Sequence, residues 1–187
     1  MKKKIVVFIS GRGTNALNII NKFRDSNNIS VTKVYSNNEN SPLLKGQNNL
    51  KTNISYFSNE QLSFQVFDEL KIIDPDLIVL AGFLKKIPPI YIDYFKNKIV
   101  NIHPSILPSY GGKGMYGSKI HNKVIENNEK ETGITIHYVS NQYDAGEIIF
   151  QKNISIGKND TVSTLEEKIH KLEYKYYPKV IQSILMK

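Results

Sequence analysis

Short apolar runs alternate with helix-like segments over the first 103 residues. Five runs are typical of buried β-strands: 4–10 (KIVVFIS), 30–36, 54–57, 76–82 (DLIVLAG) and 99–103 (IVNIH). Apolar residues recur at helical spacing over 14–26 and 60–73, and prolines at 42 and 88–89 favour shorter helices between the later runs. This β-α-β-α-β order predicts a doubly wound, mostly parallel sheet with helices on both faces.

The remaining chain has a different pattern. Residues 133–139 and 147–156 are extended runs separated by a short polar segment, which predicts an antiparallel strand pair added to the parallel sheet. A closing helix follows, with apolar residues on one face from Leu165 to Ile184. Ser163 and Glu166 match a capping box at its start, and Pro178 predicts a kink or a split.

Length and composition narrow the class of protein. The chain has 187 residues, 40% of them hydrophobic and 22% charged, which suits one soluble α/β domain over 1–187. Cysteine is absent and no apolar run approaches the roughly 18 residues of a membrane helix, so we expect a cytoplasmic protein without membrane contact. The basic start carries a short apolar run that favours a first strand over a signal peptide.

The net charge of +8 has three interpretations: nucleic-acid binding, attraction of anionic small substrates, or a general lysine and asparagine bias of the surface. The lysines are scattered, and no aromatic-basic module is visible. The surface bias is therefore favoured, and nucleic acid is not expected as a partner.

A glycine-containing loop, SGRGTN at 10–15, connects the first strand to the first helix. Ligands of parallel α/β sheets bind at this edge, and free amide groups at a helix start favour a phosphate. Gly13, Thr14 and Asn15 are therefore candidate phosphate-binding residues. A tight strand-to-helix turn without any ligand explains the same residues equally well.

The segment NIHPSILP at 101–108 brings an amide and an imidazole to the end of the fifth strand. Residues i and i+2 of a strand share one side, so Asn101 and His103 project together. Downstream, Asp144 lies in a polar segment before a glycine, where it is either a turn residue or a carboxylate facing His103. Such a trio suits acyl-type transfer, in which an amide and an imidazole stabilise a carbonyl oxygen as it gains charge.

The residues leave the attacking group to a substrate, because no serine or cysteine is placed beside the trio. The four histidines, at 103, 121, 137 and 170, include no H-x-x-x-H pair, so no metal site is expected.

Five segments carry a resemblance: SGRGTN at 10–15, DLIVLAGFLKKI at 76–87, NIHPSILPSYGGKGMYG at 101–117, TGITIHYV at 132–139 and DAGEII at 144–149. Over nearly its whole length the chain resembles the phosphoribosylglycinamide formyltransferase family. The resemblance implies transfer of the formyl group of 10-formyltetrahydrofolate to the primary amine of N1-(5-phospho-D-ribosyl)glycinamide in purine biosynthesis. It also implies a single formyltransferase domain that binds small molecules as a monomer or weak homodimer.

The resemblance assigns roles residue by residue. Asn101 would hold the formyl oxygen, His103 would donate a proton or stabilise the oxyanion, and Asp144 would keep His103 charged. Gly13, Thr14, Asn15 and Glu173 would bind the ribonucleotide. The folate would contact two segments together with Asn101: Leu84, Lys85, Lys86 and Ile87, then Ser140, Asn141, Gln142, Tyr143 and Asp144.

Two departures from the family pattern are visible. Residues 54–63 contain no basic residue where some members carry a folate-binding arginine, so the folate tail would be held differently. The glycine-rich stretch 111–117 is longer than in other members and predicts a mobile loop near the site, with Lys113 as a candidate anion contact.

The family's relatives provide alternatives. Methionyl-tRNA formyltransferases, formyltetrahydrofolate deformylases and sugar-nucleotide formyltransferases share the trio but carry additional domains, so the length favours the glycinamide enzyme. A non-catalytic nucleotide-binding module is the alternative from another class.

Overall fold

The computed structural model describes residues 1–46 and 50–187. Within these residues seven strands form one sheet in the order β3-β2-β1-β4-β5-β6-β7. The strands are β1 (Lys3–Ile9), β2 (Ile29–Ser36), β3 (Asn53–Tyr56), β4 (Leu77–Leu80), β5 (Ile99–His103), β6 (Glu131–Tyr138) and β7 (Ile148–Ser155). Strands β1 to β5 are parallel, whereas β6 is antiparallel to both β5 and β7. The predicted fold class is confirmed.

Helices cover both faces of the sheet. They are α1 (Thr14–Phe23), α2 (Pro42–Lys45), α3 (Asn59–Ser63), α4 (Gln65–Ile73), α5 (Pro89–Tyr94), α6 (Ser118–Glu126) and α7 (Val162–Leu185). Strand β1 shows why its sequence is apolar throughout. Its alternate residues Ile5, Val7 and Ile9 pack into the core that includes α1 and α7, while Val6 and Phe8 pack into the core that includes α4 and α5. All five are fully buried, as expected for a central parallel strand.

The helix predicted over 60–73 is divided in two. Phe64 leaves helical geometry, with φ −129° and ψ −66°, and separates α3 from α4. Its side chain is 77% exposed, so no burial of apolar surface stabilises a continuous helix at this point.

The predicted capping box at Ser163 and Glu166 is wrong. Helix α7 begins two residues earlier than that box requires, with Thr161 as its N-cap. The Thr164 amide donates to the Thr161 hydroxyl at 3.3 Å, and the Thr161 amide donates to the Thr164 hydroxyl at 2.9 Å. This reciprocal pair satisfies two amides at the helix start.

Pro178 does not split the closing helix, which continues to Leu185. A proline cannot donate to the carbonyl four residues earlier, here that of Tyr174. In this structure that carbonyl accepts a hydrogen bond from the Asn18 side chain of α1 at 2.9 Å. The group freed by the proline therefore links α7 to the helix that follows the glycine loop.

The topology places the carboxyl ends of β1, β4 and β5 at one edge of the sheet. The glycine loop, residues 81–84 and the NIHP segment follow these three ends, so they are neighbours in space. In the part of the chain that the structure describes, no helix combines the length and apolarity needed to cross a membrane.

Candidate active site

A cavity of about 290 Å³ lies at this edge of the sheet. Its lining includes all three proposed catalytic residues, Asn101, His103 and Asp144, together with Glu173 and the glycine loop from Gly11 to Asn15. The sheet thus brings together two groups of candidate residues that lie far apart in sequence. Asn101 is half-buried and His103 is buried.

Asp144 faces the imidazole of His103. It lies in the connection from β6 to β7 with φ 53°, a left-handed conformation in which aspartate is one of the more tolerated residues. Its Oδ2 atom accepts a hydrogen bond from the Gly112 amide at 2.9 Å and lies 3.6 Å from His103 Nδ1. The carboxylate is only 11% exposed, so little solvent screens it from the ring.

The other nitrogen of His103 contacts a backbone carbonyl. Nε2 lies 2.8 Å from the oxygen of Tyr110, and since a carbonyl only accepts, Nε2 carries a proton. Tyr110 has φ 58°, and its hydroxyl donates to Glu129 at 2.6 Å. The loop after Pro108 is thereby anchored where its carbonyl meets the ring.

Burial lowers the pKa of His103. The Asp144 charge and the Tyr110 carbonyl both raise this pKa, but by less than burial lowers it. The net direction is downward. Desolvation of the ring thus outweighs the attraction of the carboxylate, and the role of Asp144 in keeping His103 charged stays a prediction.

The glycine loop has the backbone geometry that its glycines suggest. Gly13 has φ 79°, and a Cβ atom there would lie 2.7 Å from two side-chain atoms of Leu43. Helix α1 begins at the next residue, Thr14, so the first amides of the helix have no partner within it. These amides border the cavity, as an anion-binding helix start requires.

Glu173 joins the glycine loop to α7. The Asn15 side chain donates to Glu173 Oε2 at 2.9 Å. Glu173 is 6% exposed, and burial raises the pKa of its carboxyl although the bond from Asn15 acts in the opposite direction. Among the described residues Asn15 is the one hydrogen-bond partner of this buried acid, which leaves acceptor capacity for a ligand.

The residues predicted to contact folate lie around two adjoining cavities. Leu84 lines the main cavity, and a smaller one of about 70 Å³ shares Asn101, Tyr143 and Asp144 with it. The smaller cavity is also lined by Lys85, Lys86, Ile87, Ser140 and Gln142. Asn141 is exposed and lines neither of the two cavities.

The glycine-rich stretch 111–117 borders the main cavity through five of its residues: Gly112, Gly114, Met115, Tyr116 and Gly117. Lys113 does not line that cavity; it borders an open surface depression with Lys119 and Lys123. Its expected role as an anion contact stays a prediction, as does the mobility of the stretch.

The structure adds residues that sequence reasoning missed. His137 lies opposite Asn101 in the β5–β6 pairing, with its Nε2 atom 3.2 Å from Asn101 Nδ2 and 3.8 Å from Asp144 Oδ1. The available signal was its position in a strand predicted to join the sheet, but neither the pairing of that strand with β5 nor its register can be read from the sequence. The missed cavity-lining residues on α6 and α7 are His121, Glu166 and His170.

Among residues 1–46 and 50–187, no cluster of three or more histidine, aspartate or glutamate side chains is arranged to hold a metal ion.

Comparison with known proteins identifies the family. The family model described as formyl transferase matches residues 3–181. The chain belongs to the formyl transferase family. This membership makes it an enzyme of the formyltransferase class, and the family implies a folate-derived formyl donor.

Individual relatives agree with this assignment. The phosphoribosylglycinamide formyltransferase of Bacillus subtilis is 33% identical, over 98% of this chain and 95% of the relative. A chloroplastic phosphoribosylglycinamide formyltransferase of Arabidopsis thaliana is 32% identical, and the match spans 98% of this chain but 65% of that protein. The crystal structure of phosphoribosylglycinamide formyltransferase from Bacillus halodurans matches with a TM-score of 0.86 and 31% identity, covering 99% of this chain and 96% of the other.

Proposed function

We propose that this formyl transferase moves the formyl group of 10-formyltetrahydrofolate to the primary amine of N1-(5-phospho-D-ribosyl)glycinamide in purine biosynthesis. The observation that carries the proposal is the shared cavity, in which Asn101, His103 and Asp144 lie beside the free amides of a helix start. The names of the relatives supply the substrate. Residues 1–187 would form a single formyltransferase domain that acts on these small molecules.

The substrate amine is the nucleophile in this proposal. Its nitrogen forms a bond to the formyl carbon, and the carbonyl electron pair moves to the oxygen, giving a tetrahedral intermediate. That pair then re-forms the carbonyl while the bond from the formyl carbon to N10 of the folate breaks. The proton lost by the amine reaches N10, so the reaction is balanced without any other reactant.

Asn101 and His103 stabilise the charge that develops on the formyl oxygen. The Asn101 amide donates to this oxygen, and one such donor contributes about 2.7–4 kcal/mol to a transition state in comparable sites. In this structure the Nε2 proton of His103 is donated to the Tyr110 carbonyl. The formyl oxygen would take the place of that carbonyl as the acceptor during the reaction.

Asp144 acts through His103. Because burial holds the pKa of the ring down, His103 starts neutral. Since Nε2 already carries a proton, the proton of the attacking amine is taken up at Nδ1, the nitrogen that faces Asp144, before it passes to N10. The charge of the ring grows as it takes up that proton. Asp144 stabilises this charge from 3.6 Å.

The two ends of the site would bind the two substrates. The amides at the start of α1, with Gly13, Thr14 and Asn15, suit the phosphate, and Glu173 suits hydroxyl groups of the ribose. The smaller cavity would enclose the pteridine between Ile87 and the 140–144 segment. Lys85 and Lys86 are exposed at its rim and suit the carboxylates of the folate tail.

The direct test is formyl transfer by the purified protein from 10-formyltetrahydrofolate to the glycinamide ribonucleotide, compared with the His103→Ala variant. The proposal predicts product with the wild type and a loss of turnover by a factor of about 100 or more in the variant. Binding of the ribonucleotide without any transfer by the wild type would contradict the proposal and favour a nucleotide-binding module. Monomeric or weakly dimeric assembly, a cytoplasmic location and the absence of a nucleic-acid partner stay predictions.

A further inference from the structure

Both nitrogens of His137 have partners in the described structure. The side chain is 2% exposed and lies directly across the β5–β6 ladder from Asn101. Nδ1 lies 2.8 Å from the carbonyl oxygen of Tyr138, and Nε2 lies 3.2 Å from Nδ2 of Asn101. The nearest carboxylate oxygen, Oδ1 of Asp144, is 3.8 Å from Nε2, beyond hydrogen-bond distance.

These contacts determine where the proton of His137 sits. The Tyr138 carbonyl can only accept, so Nδ1 must carry a proton and donate it. The Asn101 amide nitrogen can only donate, so Nε2 must offer its lone pair. Both conditions hold together only for the neutral ring with its proton on Nδ1.

The contact also determines which way the Asn101 amide faces. The terminal torsion of asparagine has two broad, nearly equivalent settings that exchange its oxygen and nitrogen. The lone pair on Nε2 of His137 selects the setting in which the amide nitrogen faces the ring. In the other setting the amide oxygen would face this lone pair, and two acceptors would repel each other. One of the two hydrogens on that nitrogen binds His137, and the other remains for a ligand in the cavities that Asn101 lines.

The geometry points to His137 as a positioning residue that holds the Asn101 amide so that it donates to the formyl oxygen. This inference rests on the proposed function, since the formyl oxygen is the acceptor it invokes. Without the lone pair of His137, the amide is free to turn its oxygen toward the formyl oxygen, where two acceptors repel. His137 itself does not touch the reacting atoms.

Two substitutions separate this role from simple packing. His137→Met keeps an apolar side chain of similar length but offers Asn101 only a weak acceptor, and we expect kcat to fall by about ten- to a hundredfold. The KM of the ribonucleotide should stay within about twofold, since the ring lines the smaller, folate-side cavity and not the main one. His137→Gln supplies an amide oxygen that can accept from Asn101, and we expect it to retain most of the wild-type kcat.

A double-mutant comparison tests whether His137 acts through Asn101. In an Asn101→Ala background, His137→Met should lower kcat by no more than about twofold, because there is no amide left to orient. An equal loss in both backgrounds would overturn the inference, as would wild-type kcat in the single His137→Met variant. Unfolding midpoints of all variants show whether each protein is folded at the assay temperature.

Nitrogen NMR of histidine-labelled protein tests the same arrangement without any turnover. The His137 resonances are assigned by their loss in His137→Gln, and at neutral pH they should show the neutral form with its proton on Nδ1. A charged ring, or a proton on Nε2 alone, would overturn the inference. If the wild type transfers no formyl group, the proposed function fails on its own assay, and this resonance alone decides whether His137 orients Asn101.

Discussion

The Asp144→Asn substitution removes one charge from the candidate active site while leaving its shape intact. In the wild type the Gly112 amide donates a hydrogen bond to Asp144 at 2.9 Å. An asparagine oxygen can still accept this hydrogen bond, so the loop before α6 should keep its position. What is lost is the negative charge 3.6 Å from Nδ1 of His103. The variant therefore isolates the electrostatic part of the Asp144 role.

The distance gives the size of the expected effect. Opposite unit charges about 4 Å apart at an effective dielectric constant of about 20 attract by about 4 kcal/mol. Because His103 is largely neutral before the reaction and gains charge during it, this attraction acts mainly on the transition state. At about 1.4 kcal/mol for each factor of ten, kcat should fall by about a hundred- to a thousandfold.

Steady-state formyl transfer as a function of pH is the assay. Burial lowers the pKa of His103, and the charge of Asp144 raises it again in part. The variant lacks this charge, so its His103 pKa should be lower still. One limb of the plot of kcat against pH reflects the titration of the His103 ring. This limb should move to lower pH, whether the neutral or the protonated ring is the active form. Asp25→Asn, an exposed carboxylate just beyond the far end of α1, is the matched control and should match the wild type. A kcat within about tenfold of wild type with an unmoved limb would refute the reasoning.

Three further predictions test parts of the structure around the site. Burial raises the pKa of Glu173 above its ordinary 4.5, so the native state keeps the proton up to a higher pH than the unfolded chain does. The free energy of unfolding should therefore fall as the pH rises through the raised value. Glu173→Gln should remove that slope in urea titrations at different pH, while raising the KM of the ribonucleotide; an unchanged slope would contradict the assignment. Gly13→Ala should cost about 1–3 kcal/mol in thermal unfolding because of its positive φ and the nearby Leu43, whereas Gly11→Ala, whose Cβ would meet nothing within 4 Å, should cost under about 0.5 kcal/mol. Asn18→Ala should cost about 0.5–1.5 kcal/mol alone and almost nothing in a Pro178→Ala background, where the restored amide satisfies the carbonyl; equal costs in both would argue against that bond.

The fold was predictable because its signals are local. The continuous apolar run of β1 reflects burial on both faces, and the proline and glycine positions separate the later elements. The start of α7 was predicted wrongly because Thr161 and Ser163 both offer a hydroxyl cap within two residues. The sequence does not show which hydroxyl faces the free amides.

The candidate site was predictable only in part. Asn101 and His103 share a strand, so their common direction follows from the period of two. Their meeting with Asp144 is a tertiary contact that residue spacing cannot show, and the family resemblance supplied it. The roles assigned to these residues stay predictions.

Two features of the site could not be read from the sequence at all. His137 reaches Asn101 through the β5–β6 register, which depends on how a strand beyond residue 130 pairs with one near residue 100. The direction of the His103 pKa shift depends on how deeply the ring is buried. In this structure the effect of burial outweighs that of the Asp144 carboxylate, the residue that the sequence did indicate.

The central claim is that the formyl group passes directly from the folate to the substrate amine in one cavity. The most direct measurement uses 10-formyltetrahydrofolate with oxygen-18 in its formyl group and determines the mass of the formylated ribonucleotide formed by the wild-type protein. Direct attack through a tetrahedral intermediate predicts that the product keeps the heavy oxygen. Release of labelled formate, with no labelled product, would contradict the account.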